Sequence, residues 1–436
     1  MKRPAVSAKK IPLAKCTEAR DFLSHDTDNP SSGVGEAGRR ERAPSGSFLE
    51  RKFLAGTAVK RLVLIAGELS GDLHGGHLME ALQGRVQIGG VGGPLMRAQG
   101  LDEWLGMETL SVMGFTDVLL ALPRLIRAFH TLRNRILKER PDAVVFIDYP
   151  GFNLRMAKAL RKRGYKGKLI HYICPTVWAW GKGRIEKMAQ TLDLLLTILP
   201  FEPSCFAHTE LPAHYVGHPL MQGIMPPGDG QGKGIALFPG SRHGEVERNF
   251  PSQLAALAQL RARYPDAEAT VSVAIPSLAP LLRSHIEASG QPVHLAPRAE
   301  SYNLMRSCRA ALATSGTVTL ELALHHAPTV VTYRLSRLNY LLARYLFRIR
   351  LPHYALPNIL AKQELFPEVV GKQLPTDRIA EHLCALYEAG SARDACLTGC
   401  KNLRTLLGEG DASQEAARAL LEVISHTGNE SATSHG

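Results

Sequence analysis

Short runs of consecutive apolar residues recur along the chain, each ended by glycine, proline or a polar residue and followed by a stretch compatible with a helix. Leu62-Val63-Leu64-Ile65-Ala66 ends at Gly67, and Ala143-Val144-Val145-Phe146-Ile147 ends at Asp148. Leu169-Ile170-His171-Tyr172-Ile173 runs towards Pro175, and Leu194-Leu195-Leu196-Thr197-Ile198 towards Pro200. Runs this short, apolar at every position rather than at alternate ones, predict strands buried on both faces of a parallel sheet. Their alternation with helical segments predicts βα units. After Pro226-Pro227-Gly228-Asp229-Gly230-Gln231-Gly232 the pattern restarts at Gly234-Ile235-Ala236-Leu237-Phe238 and recurs at residues 269–273, 310–313 and 329–333. The expected fold class is α/β, with two Rossmann-like doubly wound domains facing each other across a cleft. They occupy residues 57–220 and 234–375, joined by a linker at 221–233, with C-terminal helices over 376–425. In such sheets ligands bind outside the carboxyl ends of the strands, so the loops after these runs are where chemistry is expected.

Residues 1–56 are rich in Ser, Gly, Pro, Lys and Arg without periodicity, and read as a disordered extension or as an upstream stretch read from the wrong start codon. The tail at 426–436 also reads as disordered. At 436 residues, with 45% hydrophobic and 21% charged positions, the chain has an ordinary globular composition. Its longest apolar runs fall far short of the ~20 residues that span a bilayer, and the N-terminus lacks the apolar core of a signal peptide. A cytoplasmic location is expected. Lys and Arg exceed Asp and Glu by 52 to 40, a net charge of +12, which favours an anionic partner. Two of the basic clusters lie beside apolar stretches, a pattern that suits lipid rather than nucleic acid. Seven cysteines at irregular spacing argue against a disulfide framework. No metal-ligand spacing follows Cys396 and Cys400, and the one Asp-x-Asp, Asp26-Thr27-Asp28, lies in the N-terminal extension.

Four loops carry candidate chemistry. Gly67-Glu68-Leu69-Ser70-Gly71-Asp72, after the first run, lets backbone approach a ligand at a helix N-terminus, or is a tight turn; it lacks the dinucleotide fingerprint. Pro239-Gly240-Ser241-Arg242 supplies a hydroxyl and a guanidinium for a diphosphate, although Ser241 with Glu245 also reads as a helix cap. Thr314-Ser315-Gly316-Thr317 exposes amides to phosphate at a strand-to-helix turn, and Glu321, one turn on, either accepts from ribose hydroxyls or faces solvent. Asp148 ends a strand, and is a general base or the cap of the next helix. Without a metal, a leaving diphosphate must be neutralised by amides and basic side chains, the roles open to the second-domain loops. Trp178 and Trp180 line a sugar or acyl pocket or belong to the core. Leu119, Leu122, Ile126, Phe129 and Ile136 recur at helical spacing among Arg124, Arg127, Arg133, Arg135 and Lys138. That is an amphipathic helix for an anionic bilayer or a core-facing one, with Pro123 interrupting it.

These motifs, in this order, resemble the lipid-A-disaccharide synthase family over nearly all of 61–425. The resemblance rests on Ala66-Gly67-Glu68-Leu69-Ser70-Gly71-Asp72, Gly92-Gly93-Pro94-Leu95-Met96, Ser111-Val112-Met113-Gly114-Phe115 and the Asp148 loop. It extends through Val177-Trp178-Ala179-Trp180, Leu199-Pro200-Phe201-Glu202, Val216-Gly217-His218-Pro219, Pro239-Gly240-Ser241-Arg242, Ser315-Gly316-Thr317 and Leu356-Pro357-Asn358-Ile359-Leu360. It implies a two-domain GT-B fold and an inverting transfer from UDP-2,3-diacylglucosamine to 2,3-diacylglucosamine 1-phosphate, giving the β-1,6-linked disaccharide 1-phosphate and UDP. It implies no cofactor, no metal and no nucleic-acid partner, and leaves a homodimer open. It implies Asp148 as the essential carboxylate, and Ser241, Arg242, Ser315, Gly316, Thr317, Glu321 and Asn358 at the UDP and its phosphates. It further implies Glu68, Ser70, Gly71 and Asp72 as a substrate-binding loop. The family's membrane-facing patch corresponds to Val118, Leu119, Leu122, Leu125 and Ile126, which implies contact with phospholipid on the cytoplasmic face of the inner membrane. One departure stands out: other members carry a second aspartate where this chain has Gly151. UDP-N-acetylglucosamine 2-epimerases and peptidoglycan-type N-acetylglucosaminyltransferases resemble the chain in architecture only.

Overall fold

The computed structural model describes residues 59–110, 115–178, 182–228, 232–335 and 352–425, with backbone only at 115–121 and 182. The expected extension at 1–56, the tail, Trp180 and part of the linker lie outside these residues. Seven parallel strands form the first sheet: β1 (Arg61–Ala66), β2 (Gln87–Gly92), β3 (Asp102–Gly106), β4 (Ala143–Ile147), β5 (Lys168–Tyr172), β6 (Leu194–Thr197) and β7 (Ala213–Tyr215). Their spatial order is β3-β2-β1-β4-β5-β6-β7. Six parallel strands form the second sheet: β8 (Gly234–Phe238), β9 (Ala269–Val273), β10 (His294–Pro297), β11 (Cys308–Thr314), β12 (Thr329–Arg334) and β13 (Glu368–Gly371), in the order β10-β9-β8-β11-β12-β13.

Both orders reverse direction once, between β1 and β4 in the first sheet and between β8 and β11 in the second. Such reversals open a crevice at the carboxyl ends of the strands, because successive helices cross to opposite faces there. Leu62 is in register with Ala143 and Ala66 with Ile147; Ile235 is in register with Ala310 and Phe238 with Ala313. The Gly67 and Asp148 loops therefore leave one crevice side by side, and the Gly240 and Ser315 loops leave the other.

Alternate residues of β1 enter different cores. Leu62, Leu64 and Ala66 join Leu78 and Leu82, whereas Val63 and Ile65 join Ala128, Leu132, Ile136, Met156 and Leu160. The C-terminal helices divide between the domains. Helices Thr376–Tyr387 and Ser391–Leu407 bury Leu383, Leu386, Leu403 and Leu407 in the core of the second sheet. Helix Ala412–Ser425 returns to the first, burying Ala416, Leu420 and Ile424 beside Leu62 and Leu64. The chain thus crosses between domains twice, and the crossings are tied together: the Tyr215 hydroxyl donates to Leu407 O at 2.8 Å, and Gln222 Nε2 bonds Asp411 Oδ1, the oxygen that accepts from Ser413 N and Gln414 N.

Pro123 does not end its helix. Phe115–Glu139 runs through it, correcting the expected interruption.

Candidate active site

Asp148 sits where β4 stops, and the backbone there is left-handed at two successive non-glycine residues, with φ of 49° at Asp148 and 47° at Tyr149. Such a pair is costly for L-residues and persists only where the surroundings dictate it. Asp148 N donates to Tyr172 O at 2.9 Å across the sheet edge. The Tyr149 ring fills the space that a Cβ on Gly67 would occupy, stacks on Phe152, and its hydroxyl donates to Leu110 O at 3.1 Å. Asn153, wholly buried, donates through Nδ2 to Ile147 O at 3.3 Å and Asp148 O at 2.7 Å. The next helix, Pro150–Lys162, takes no side-chain cap, so the capping alternative for Asp148 is not the one the fold uses. Gly151 lies in its first turn.

The Asp148 carboxyl is pushed up from 3.8 to about 6, chiefly by burial and secondly by the Glu68 carboxylate; the Tyr149 amide and the Ser70 hydroxyl oppose the rise. Ser70 Oγ donates to Asp148 Oδ2 at 3.4 Å. Ser70 and Glu68 thus lie against the candidate base. A Cβ on Gly71 would lie 3.3 Å from Ala66 Cβ and 3.5 Å from Ile147 O, so the glycine lets helix Leu69–Ala81 sit close on the strand ends. Asp72 does something else: it is 2% exposed and accepts from Gly93 N, Leu95 N and Met96 N at 2.7, 2.9 and 3.0 Å. Its carboxylate fastens the 93–96 loop, where Gly75 and Gly76 also admit Met96 and Leu95. The glycines of this motif serve close packing within the chain.

In the second domain a cavity of about 480 Å³ is lined by Ser241, Arg242, Ser315, Gly316, Thr317 and Glu321. Gly240 turns with φ of +120°, and a Cβ there would come within 2.8 Å of Glu245 Cβ. Ser241 provides no side-chain cap to helix His243–Arg263; Glu245 instead reaches back to Ser241 N at 3.3 Å and to Arg242 Nη1 at 3.0 Å. This holds the guanidinium at the mouth of the helix. Thr314 Oγ1 donates to Pro239 O at 2.8 Å, locking the two loops to each other. Glu321 is 7% exposed, which removes the solvent-facing alternative, and burial raises its carboxyl to about 8 against the pull of Arg298.

Arg298, Tyr302 and Ser272 also line the cavity and escaped the sequence reading. Arg298 and Tyr302 follow β10, whose four residues, His294–Pro297, give almost no strand pattern. Gly223, from the linker between domains, lines the cavity too. Asn358 is fully buried, and its side chain is saturated: Nδ2 donates to Phe366 O and Glu368 Oε1, and Oδ1 accepts from Leu365 N and Phe366 N, all at 2.7–2.9 Å. Glu368 in turn accepts from Tyr354 N and Ala355 N. Asn358 therefore offers no side-chain atom to UDP and organises the segment from 354, beside Ser315, whose Oγ is 3.5 Å from Tyr354 O.

Along helix Phe115–Glu139, Leu122 and Ile126 are 47% and 48% exposed, with Arg124 and Arg127 exposed between and after them. Leu125 is half-buried against the core that Ala128, Leu132 and Ile136 enter. From Leu122 on, the helix therefore exposes Leu122 and Ile126 and turns Ala128, Leu132 and Ile136 to the core. Val118 and Leu119 have no described side chains. Among the described residues no helix is long and apolar enough to cross a membrane, and no cluster of three metal-ligating side chains is present.

A family model described as lipid-A-disaccharide synthetase matches residues 62–422. The lipid-A-disaccharide synthase of Rhodospirillum centenum is 39% identical over 381 residues, covering 83% of this chain and 94% of that one. That of Chlamydia pneumoniae is 39% identical over 364 residues, covering 78% of this chain and 60% of the longer relative. Among solved structures, the calicheamicin glycosyltransferase CalG4 superposes with a TM-score of 0.54 at 16% identity, covering 85% and 100% of the two chains. A UDP-GlcNAc 2-epimerase from Neisseria meningitidis gives 0.55 at 13%, covering 83% and 100%. These two share the fold. The matched span includes both crevices and the returning helix, and the chain belongs to the lipid-A-disaccharide synthase family, GT-B glycosyltransferases that join a UDP-linked sugar to a lipid acceptor to make the lipid A disaccharide of lipopolysaccharide.

Proposed function

We propose that the chain transfers the sugar of UDP-2,3-diacylglucosamine to the 6-hydroxyl of 2,3-diacylglucosamine 1-phosphate in one inverting displacement, with Asp148 as general base. The observation that carries this reading is the carboxyl at the β4 crevice, raised to about 6 by burial and by Glu68. An ordinary aspartate is a weak base for an alcohol; one raised towards neutrality is still ionised at pH 7 and takes a proton more readily. The acceptor oxygen forms its bond to the anomeric carbon as the bond to the UDP phosphate breaks, and the acceptor proton passes to Asp148. The departing diphosphate gains negative charge, which Arg242 and the amides at the start of helix Thr317–Leu324 stabilise from the facing domain. Glu321 takes the ribose hydroxyls.

The acyl chains need not cross water if the first domain rests on anionic phospholipid through Leu122 and Ile126, with Arg124 and Arg127 on headgroups. That places the protein peripherally on the cytoplasmic face of the inner membrane. The reaction is tested by mass spectrometry of the purified chain with both acylated substrates, which should yield the disaccharide monophosphate. Asp148→Asn should bind UDP normally and lose turnover; near-wild-type turnover in that variant removes Asp148 from the role.

A further inference from the structure

We propose that Asn153 is the positioning residue of the transfer, holding the peptide between Asp148 and Tyr149 in its left-handed form so that the Asp148 carboxyl stays beside Ser70. The proposal rests on the reading of Asp148 as base. Neither residue of the left-handed pair is a glycine, so the conformation must be imposed from outside. The amide side of Asp148 is fixed by the neighbouring strand through Tyr172 O. Its carbonyl side is fixed by Asn153 Nδ2, at 2.7 Å, and the same nitrogen reaches Ile147 O one residue earlier. Asn153 N also donates to Tyr149 O at 3.1 Å, so one residue grips three successive carbonyls across the turn.

The other half of the amide shows what the side chain is for. Among the described residues no donor meets the buried Asn153 Oδ1. A residue chosen for stability alone would not bury an acceptor that its described neighbours leave unmatched. What the side chain supplies is its pair of N–H groups, at the single point where the backbone turns the carboxyl into the crevice. If that peptide rotated, Asp148 would follow, because its Cα lies between the two anchored groups and Ser70 Oγ is already 3.4 Å away.

The experiment compares Asn153→Ala and Asn153→Asp with Asp148→Asn in the full chain. The Asp variant keeps the shape and the oxygen and removes the N–H donors. Turnover is read as UDP release with both acylated substrates and expressed per UDP site titrated calorimetrically, which counts only folded protein. A misplaced reacting group costs about a hundredfold, and that is the expected loss of kcat in both Asn153 variants, with UDP affinity within about twofold of wild type. In the Ala variant the acidic limb of kcat/KM should also move to lower pH, because a released loop exposes the carboxyl to water. A residue that only supports folding would lower the number of UDP sites while leaving kcat per site and the acidic limb unchanged, and that result overturns the proposal. If Asp148→Asn is dead while both Asn153 variants turn over normally per site, the positioning role fails alone; if Asp148→Asn turns over normally, the base assignment fails and this role with it.

Discussion

The pH dependence of turnover tests the site most directly, because the groups that act on Asp148 pull in opposite directions. The proposed base, Asp148, would work as the anion, so kcat/KM should fall as pH drops through its pKa, by about tenfold per pH unit below the limb. Burial and Glu68 raise the carboxyl from 3.8 to about 6, whereas the Tyr149 amide and Ser70 favour the anion. The rise from 3.8 to about 6 makes the carboxylate's proton affinity about a hundredfold greater than that of an ordinary aspartate. The wild-type limb therefore belongs near pH 6. Ser70→Ala removes a donor to the anion and should move the limb up; the bond is long at 3.4 Å, so the move is modest, about half a pH unit. Glu68→Gln removes a like charge and should move the limb down, yet leave it above the ordinary aspartate range because burial is the larger cause. The assay is UDP release from saturating and sub-saturating donor between about pH 4.5 and about pH 9, buffered at constant ionic strength. A wild-type limb near the ordinary aspartate value, or both variants moving it the same way, refutes the reasoning.

Other expectations concern stability and binding. Glu202 is 1% exposed, accepts from Leu199 N at 3.0 Å, and is raised from 4.5 to about 8 by burial. The folded state therefore holds a proton that the unfolded chain has lost, and stability should fall as pH rises from about 4.5 to about 8, on the order of 5 kcal/mol in all; Glu202→Gln should flatten that slope in urea unfolding, and an unchanged slope counts against it. Asp72→Ala strands three amides of the 93–96 loop and should cost about 2–5 kcal/mol in the same assay, with UDP affinity unchanged. Gly240→Ala places a Cβ against Glu245 at a left-handed turn, which should weaken UDP binding at least tenfold by calorimetry, about 1.4 kcal/mol. Leu122→Ser with Ile126→Ser should reduce sedimentation with anionic vesicles while leaving UDP binding intact; undiminished sedimentation removes the membrane contact.

The residues by themselves determined the class of the fold and the addresses of the loops that matter. Central strands such as β1, β4, β8 and β11 are buried on both faces, so their apolar runs are uninterrupted and their ends are visible at Gly67, Asp148, Pro239 and Ser315. The outer strands were not legible: β2, next to the edge, reads Gln-Ile-Gly-Gly-Val-Gly, and the edge strands β7, β10 and β13 span only three or four residues. Their pairing comes from the neighbouring strand and from short local contacts, which leave little pattern. Which way a polar side chain faces was equally hidden. Asp72 and Asn358 stand in motifs with the look of ligand contacts, yet Asp72 is spent on amides more than twenty positions away and Asn358 on a turn it closes itself. Tertiary structure alone brought helix Ala412–Ser425 back to the first sheet and set Arg298 opposite Glu321. It alone imposed the left-handed turn that aims Asp148. Hydrophobic periodicity records only how deeply an element is buried; the partners of a buried polar group lie far along the chain, and the price of burying it is settled by geometry that no local pattern encodes.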